Sequence, residues 1–560
     1  MASTPKPWLK HYPQGVPAEI NPENYRSIVD VFDRASSKHG ASVAYSNMGA
    51  NLTYADMDRL TAQFAAFLQK GLGLKKGERI ALQMPNLLQY PVALFGALRA
   101  GLIVVNTNPL YTAREMKHQF KDSGATAVVI LANFASHLQE VLSDTPIRHV
   151  IITEVGDLLS SPKRQVTNAV VKYVRKMVPP YSIPNAVPFR TALQKGAGLA
   201  YQKMDLGPSD IAFLQYTGGT TGVSKGAMLT HRNLVANMEQ ISAWIFPRLE
   251  EGKEVVFTPL PLYHVFSLVV NCLAFYQFGG RNILVTNPRD IAGFIKLLRD
   301  NPFTAISGVN TLFNALVNHP EIKTVDFSRT KIAVAGATAL QGAVARKWKE
   351  VTGVPIIEGY GMTEASPMIT CNPVDGTDKL GTIGLPAPST EVRLVDDDGH
   401  DAALGKPGEI WARGPQVMKG YWQRPEETAD VVDSQGWLHT GDVGVMDSDG
   451  FFKIVDRKKD MILVSGFNVY PNEIEDVLAT HPGVLESAAV GIPDEKSGEA
   501  VKVFVVKRDQ DLQAEPLMTF LRQNLVAYKV PRQIEFRKEL PKTNVGKILR
   551  RALREEATRR

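Results

Sequence analysis

From Leu52 onward, helix-like runs and short apolar strands alternate, and few folds accept that alternation. The helical pattern over residues 54–72 gives way to Arg79-Ile-Ala-Leu-Gln83. The run 89–100 gives way to Ile103-Val-Val105, and a helix from Thr112 to Thr126-Ala-Val-Val-Ile130. Strands separated by helices call for a parallel sheet covered on both faces. The alternation returns as helix 290–299, strand 304–307, helix 311–318, strand 331–335 and helix 341–351. A chain of 560 residues is too long for one core. We therefore expect two doubly wound α/β subdomains facing each other.

From about Thr390 the texture changes to short strands with turn signals: Glu391-Val-Arg-Leu-Val395, Asp396-Asp-Asp-Gly399, Gly408-Glu-Ile-Trp-Ala-Arg413, and Asp447-Ser-Asp-Gly450 before Phe451-Phe-Lys-Ile-Val455. This pattern predicts a small antiparallel, β-barrel-like subdomain over about 380–456. Beyond the charge cluster Asp456-Arg-Lys-Lys-Asp460, the best hinge candidate, a smaller α+β domain is expected over 457–560, with a helix at 471–478, strands near Ala488 and over 501–506, and a helix from Pro516. Roughly a hundred residues suffice for an independent domain.

The densest chemical signal is Tyr216-Thr-Gly-Gly-Thr-Thr-Gly-Val-Ser-Lys225-Gly226, which follows the apolar run Ile211-Ala-Phe-Leu214. Glycines let a loop turn successive backbone N–H groups toward one point, and Thr217, Thr220, Thr221 and Lys225 add donors, so the suited guest is a polyphosphate. The residues expected to line that cradle are Thr217, Gly218, Gly219, Thr220, Thr221, Gly222 and Lys225. It is not the Walker A loop: counting back from Lys225 puts Ser224 where the second glycine belongs and Gly226 where Ser or Thr belongs. A plain Gly/Thr-rich surface turn is the alternative.

Composition narrows the partners. A formal charge of +6, from 63 basic and 57 acidic residues, gives no dominant basic tract, so no nucleic-acid partner is expected. Cys272 and Cys371 cannot by themselves build a disulfide framework or a thiolate metal site, which fits a reducing compartment, so a cytoplasmic protein is expected. The start, Met1-Ala-Ser-Thr-Pro-Lys-Pro-Trp8, lacks an apolar leader core, and the most apolar window, 266–278, is broken by Asn271 and Gln277.

One segment stands apart. Residues 163–178, Lys-Arg-Gln-Val-Thr-Asn-Ala-Val-Val-Lys-Tyr-Val-Arg-Lys-Met-Val, carry five cations and no acid. At about 100° per residue, Val166, Val170, Tyr173, Val174 and Met177 share one face, and Arg164, Lys172, Arg175 and Lys176 the other. Such a helix could lie on an anionic membrane, at the inner face. The commoner use of the pattern packs the valines on the core.

Further motifs follow in order: Pro261-Leu-Tyr-His264-Val-Phe, Ala335-Gly336-Ala-Thr338, Glu358-Gly-Tyr360-Gly361-Met-Thr363-Glu364, Gly436-Trp-Leu-His-Thr-Gly-Asp442, Asp456-Arg457, Ser465-Gly466-Phe-Asn-Val-Tyr-Pro471 and Pro541-Lys-Thr-Asn-Val-Gly-Lys547. With the loop at Tyr216, the ordered series resembles the ANL adenylating superfamily of acyl-CoA synthetases, peptide-synthetase adenylation domains and luciferases. The block from Gly436 to Glu475 is most similar to bacterial long-chain fatty-acyl-CoA synthetases.

The resemblance implies ATP-dependent activation of a carboxylic acid through an acyl-adenylate, followed by transfer to CoA, with a mobile C-terminal domain. It assigns Lys547 to the carboxylate and α-phosphate, Lys225 to the phosphates, and Glu364 beside Thr363 and Thr217 to Mg²⁺. Asp442 and Arg457 are assigned to the ribose, and Gly336, Tyr360 and Gly361 to the adenine. His264 is implied as an aromatic gate, Lys459 as the hinge, and Gly466 as part of the loop approaching the pantetheine of CoA. These types suit the task, since joining two anions needs cations where charge develops, and a hard cation bridging phosphates needs only one or two carboxylates.

Amino-acid-activating relatives carry an aspartate shortly after the Pro261-like motif; Val265-Phe-Ser-Leu-Val-Val270 has no acid, and an unpaired ammonium there would be costly. The wall suits an alkyl chain, so medium- or long-chain fatty acids are the expected substrates. Loading of another acceptor such as a carrier protein, luciferase-like oxygenation and a catalytically silent fatty-acid binder stay open, as does a homodimer.

Overall fold

The computed structural model describes residues 6–217, 224–465, 467–494, 497–543 and 546–558. Two large sheets carry the first part of the chain. In the seven-stranded sheet the order is Val187–Pro188, His149–Thr153, Ala127–Leu131, Arg79–Gln83, Ile103–Asn106, Ile211–Thr217 and Lys225–Thr230. The first six pair in parallel, and the last runs antiparallel. Successive parallel strands there are joined through covering helical segments, as the alternation requires, and the antiparallel last strand pairs with Ile211–Thr217 as a hairpin.

The nine-stranded sheet is built around Ile356–Gly361, Ile332–Ala335, Ala305–Gly308, Val255–Thr258 and Arg281–Leu284, all parallel. Its far edge comes from the start of the chain: Val43–Asn47 lies parallel to Arg281–Leu284, with Tyr45 opposite Asn282, and hairpins back to Ala50–Thr53. One continuous hydrophobic core joins the two sheets, running from Ile80 and Leu82 to Phe257 and Ile306. Helix Gln89–Arg99 is buried along its whole length within it, which is why its middle turns are apolar all round and its polar ends, Gln89 and Arg99, are hydrogen-bonded to Glu154 O and Asp58. A second cluster, with Ala81, Val105, Val128 and Leu214, fills the opposite face of the seven-stranded sheet.

The strands Glu391–Val395, Gly408–Arg413, Leu438–Met446 and Phe452–Arg457 form a four-stranded antiparallel sheet. It is open: its two outer strands do not pair with each other among the described residues. The chain then builds a five-stranded sheet around Val484–Asp494 and Gly498–Lys507, with helices Pro471–Ala479 and Ala514–Asn524 and a separate core of Ile462, Val469, Leu478, Val503 and Leu517. No helix among the described residues is long and apolar enough to cross a membrane.

The basic segment departs from the commoner expectation. It forms helix Lys163–Ala169 and a wider helical turn Val170–Val174, but its apolar residues do not pack on the core. Val166, Val170, Tyr173, Val174 and Met177 are all exposed.

Candidate functional site

The glycine-rich stretch connects a hairpin. Ile211–Thr217 and Lys225–Thr230 are antiparallel at the sheet edge, with Thr217 opposite Lys225 and Tyr216 opposite Gly226. Gly218, Gly219, Thr220, Thr221 and Gly222 lie outside the described residues, as does Gly466. At the hairpin base, residues 419–422 run alongside the second strand: Met228 N–H donates to Gly420 O at 2.8 Å, Lys419 N–H to Met228 O at 3.0 Å, and Trp422 N–H to Gly226 O at 2.8 Å. This pairing puts Tyr421 beside Lys225.

Lys225 Nζ sits over the Tyr421 ring, 5.2 Å from its centre, and pairs with Glu427. The Lys225 ammonium, followed by Arg424, holds the Glu427 carboxyl below its usual range. The Tyr421 hydroxyl donates to Glu364 Oε1 at 2.7 Å. Burial, and then this carboxylate, push the phenol well above its ordinary value. Glu364 is buried in the turn Thr363–Ala365 that follows strand Ile356–Gly361, and its carbonyl accepts from Met418 N–H at 2.8 Å. Tyr421 thus bridges the carboxylate and the ammonium that the motifs single out, a role the sequence reading missed.

A second cluster lies on the four-stranded sheet. Asp442 and Arg457 are cross-strand partners, with Arg457 Nε 3.1 Å from Asp442 Oδ1. The Tyr360 hydroxyl donates to Asp442 Oδ2 at 2.7 Å. Both Asp442 oxygens are therefore engaged, each keeping a lone pair for a further donor.

Lys547, from the C-terminal domain, lies within electrostatic reach of this cluster. Burial and the Arg457 cation lower its ammonium to about 8, while Asp442 acts in the opposite direction. Lys547 in turn, after burial, lowers the His264 imidazole to about 4, so that ring is neutral at physiological pH. His264 caps the short helix Val265–Ser267, its Nδ1 accepting from Phe266 N–H at 3.4 Å. The loop presenting Lys547 is closed on itself by Thr543 N–H donating to Lys547 O at 2.7 Å. It presses on the large domain: a Cβ at Gly546 would come within 2.7 Å of Thr311 Oγ1. Lys459 feels both clusters. Burial and Arg457 lower its ammonium, opposed by Asp460, Asp442 and Glu364, so it lies within electrostatic reach of both groups.

Arg550, also missed in the sequence, ties the C-terminal helix to the helix Pro471–Ala479 and to the charged segment 456–460. Its guanidinium meets both Glu475 oxygens at 3.0 and 2.6 Å, Asn472 at 2.5 Å, Asp456 at 3.7 Å and Asp460 at 3.8 Å.

The glycines assigned to the adenine are accounted for by the protein's own atoms. A Cβ at Gly361 would lie 1.9 Å from Pro367 O, and one at Gly336 would lie 3.1 Å from Phe266 and 3.3 Å from Gly359 O. Among the described residues no three His, Cys, Asp or Glu side chains gather to hold an ion by themselves. Glu364, buried and hydrogen-bonded by Tyr421 through one oxygen, suits a cation whose other ligands are phosphate and water.

Residues 32–422 match the AMP-binding enzyme family, and residues 473–547 match the AMP-binding enzyme C-terminal domain. The chain is 59% identical to a long-chain-fatty-acid–CoA ligase of Yersinia pestis, covering 98% of each chain. It is 40% identical to the ligase of that name from Bacillus subtilis, covering 99% of this chain and 98% of the other. Among solved structures it is similar to the anthranilate CoA ligase AuaEII in complex with anthranoyl-AMP, with TM-score 0.85, 25% identity and coverage of 96% and 99%. The ATP-bound MatB of Rhodopseudomonas palustris gives TM-score 0.78 at 28% identity, with 94% and 98% covered.

Proposed function

The chain belongs to the AMP-binding enzyme family, and from that premise we propose that it activates medium- and long-chain fatty acids to acyl-CoA. In the first step a fatty carboxylate oxygen attacks the α-phosphorus of ATP, and pyrophosphate leaves with the electron pair of the broken P–O bond. In the second, the thiolate of CoA attacks the acyl carbonyl and AMP leaves. The observation that carries this proposal is that Lys547, from the C-terminal domain, lies within electrostatic reach of Asp442, Arg457 and His264, groups from distant parts of the chain.

Lys547 neutralises the repulsion between carboxylate and α-phosphate, and Lys225, with Thr217 and the glycine loop, takes the outer phosphates. Asp442 offers its remaining lone pairs to the ribose hydroxyls with Arg457 beside it, and Tyr360 flanks the base. Glu364, with the hydroxyls of Thr217 and Thr363 as further ligands, would hold a magnesium ion that offsets phosphate charge. Neutral His264 adds no charge at the acyl entrance and serves as an aromatic gate. The buried, acid-free wall of Val265, Phe266, Leu268, Val269 and Val270 favours an alkyl chain, at about 0.8 kcal/mol for each methylene removed from water.

We divide the chain at the hinge: residues 1–456 bind the nucleotide, and residues 457–560 turn about Lys459 to exchange Lys547 for the Gly466 loop that meets the pantetheine. The enzyme works on the cytoplasmic side, with contact to an anionic membrane surface. Oleate, ATP and magnesium should release pyrophosphate, and added CoA should yield oleoyl-CoA. Absence of pyrophosphate release would make the chain a binder. Pyrophosphate release without any thioester would point to another acceptor.

A further inference from the structure

The helix at 163–174 is mounted the wrong way round for a soluble surface helix. Asn168 fastens it to the body: its Oδ1 accepts from Gly156 N–H at 2.7 Å, and its Nδ2 donates to Glu154 Oε2 at 2.9 Å. Lys163 Nζ donates to Met48 O at the tip of the first hairpin. The side facing the protein is therefore polar. Val166, Val170, Tyr173, Val174 and Met177 point away, each between 37% and 71% exposed, and Met48 adds a further exposed apolar side chain near the helix start.

Ordinary packing buries the apolar stripe of a helix and solvates the other side. Leaving five large apolar groups together in water is unfavourable, and such patches mark a surface that something covers. The surrounding charge says what covers it. Lys163, Arg164, Lys172, Arg175 and Lys176 are in the same segment without an acid. The nearby acids, Glu154 and Asp157, lie on the body side, where both interact with Asn168 and Glu154 also feels Lys172; Lys172, Arg175 and Lys176 are nonetheless exposed. A second copy of this segment would bring like charges together, whereas an anionic bilayer satisfies both features: its headgroups meet the cations and its outer acyl region receives the valines, Tyr173 and Met177.

We propose that the exposed face of residues 163–177 is the surface by which the enzyme docks on an anionic lipid bilayer, lying in the plane of the interface. That this surface serves collection of a membrane-dissolved acid rests on the fatty-acid activity proposed above; the docking itself does not.

The test is co-sedimentation of the full chain with phosphatidylcholine vesicles, with and without an equal part of phosphatidylglycerol. Two variants accompany it: Val170→Ser with Tyr173→Gln and Val174→Ser, and Lys172→Gln with Arg175→Gln and Lys176→Gln. The wild type should sediment with the anionic vesicles alone. The charge variant should partition roughly a hundred-fold less, given the contribution of each cation near an anionic surface, and the apolar variant should also be lost from the pellet. Octanoyl-CoA formation from dissolved octanoate should be unchanged in both, showing that they fold. Binding by either variant equal to the wild type, or no wild-type binding, overturns the proposal. So does a wild-type dimer in sedimentation velocity that the apolar variant dissociates, because a second copy would then be the occupant. Inactive wild type that still binds anionic vesicles would fail the activity and leave the docking surface standing.

Discussion

At the scale of single residues, charge placement decides what this site can do. Lys547 titrates near 8, depressed by burial and by Arg457. Its folded pKa lies below the ordinary lysine value, so the ammonium is present below about 8 and is lost above it. The kcat/KM for adenylation, which reports the free enzyme, should fall as pH rises through that value; a profile flat to the ordinary lysine range would contradict the role given to Lys547. Tyr421→Phe removes the hydrogen bond to Glu364 while keeping the ring under Lys225. A hydrogen bond to a charged group is worth about 1.5–3 kcal/mol, so the magnesium concentration needed for half-maximal pyrophosphate release should rise by roughly ten-fold or more. An unchanged requirement would separate Tyr421 from the metal. The motif residues were singled out by family resemblance, with residue types that suit the roles it implies, such as a carboxylate for a cation and lysines for phosphates. Tyr421 and Arg550 were not, because their partners lie 57 and 75 residues away, and pairing across such separations leaves no periodic trace. The glycine-aromatic run Lys419-Gly-Tyr-Trp422 and the arginine three positions after Lys547 were the only local signals.

At the scale of elements, the alternation of helices and strands was read correctly where each strand follows its own helix, and it failed where pairing is remote. Val43–Asn47 completes the nine-stranded sheet by lying against Arg281–Leu284, a partnership no local pattern encodes. The basic helix failed differently: the periodicity of its apolar stripe was right, but Asn168 fixes the opposite side to the body. Gly361 shows how an element end constrains composition. Its strand passes so close to Pro367 that a methyl group would meet the carbonyl oxygen at 1.9 Å. Gly361→Ala should therefore force the strand from the turn carrying Glu364 and destabilise the protein by about 2 kcal/mol or more. A thermal midpoint equal to the wild type, with full activity, would show that this turn yields easily.

At the scale of the whole molecule, the C-terminal domain brings Lys547 within electrostatic reach of Asp442 and Arg457, and Arg550 ties its last helix to Glu475, Asp456 and Asp460. Removing one partner of a largely buried ion pair leaves the other uncompensated, so Arg550→Met should cost the C-terminal domain about 3 kcal/mol, seen as an early unfolding phase in urea. A single transition at the wild-type midpoint would deny Arg550 that function. The two-sheet architecture was legible because each half carries its own βα pattern. The assignment of Lys547 to the carboxylate and α-phosphate came from family resemblance, since no property of residues 541–547 alone says what they face. The central claim is that Lys547 serves only the first of two half-reactions. The measurement that tests it most directly is Lys547→Ala assayed separately for acyl-adenylate formation from fatty acid and ATP, and for thioester formation from supplied acyl-adenylate and CoA. We expect the first to fall by at least about two orders of magnitude, the scale on which loss of a charge-stabilising group acts, with the second near wild type; equal loss in both half-reactions would contradict the account.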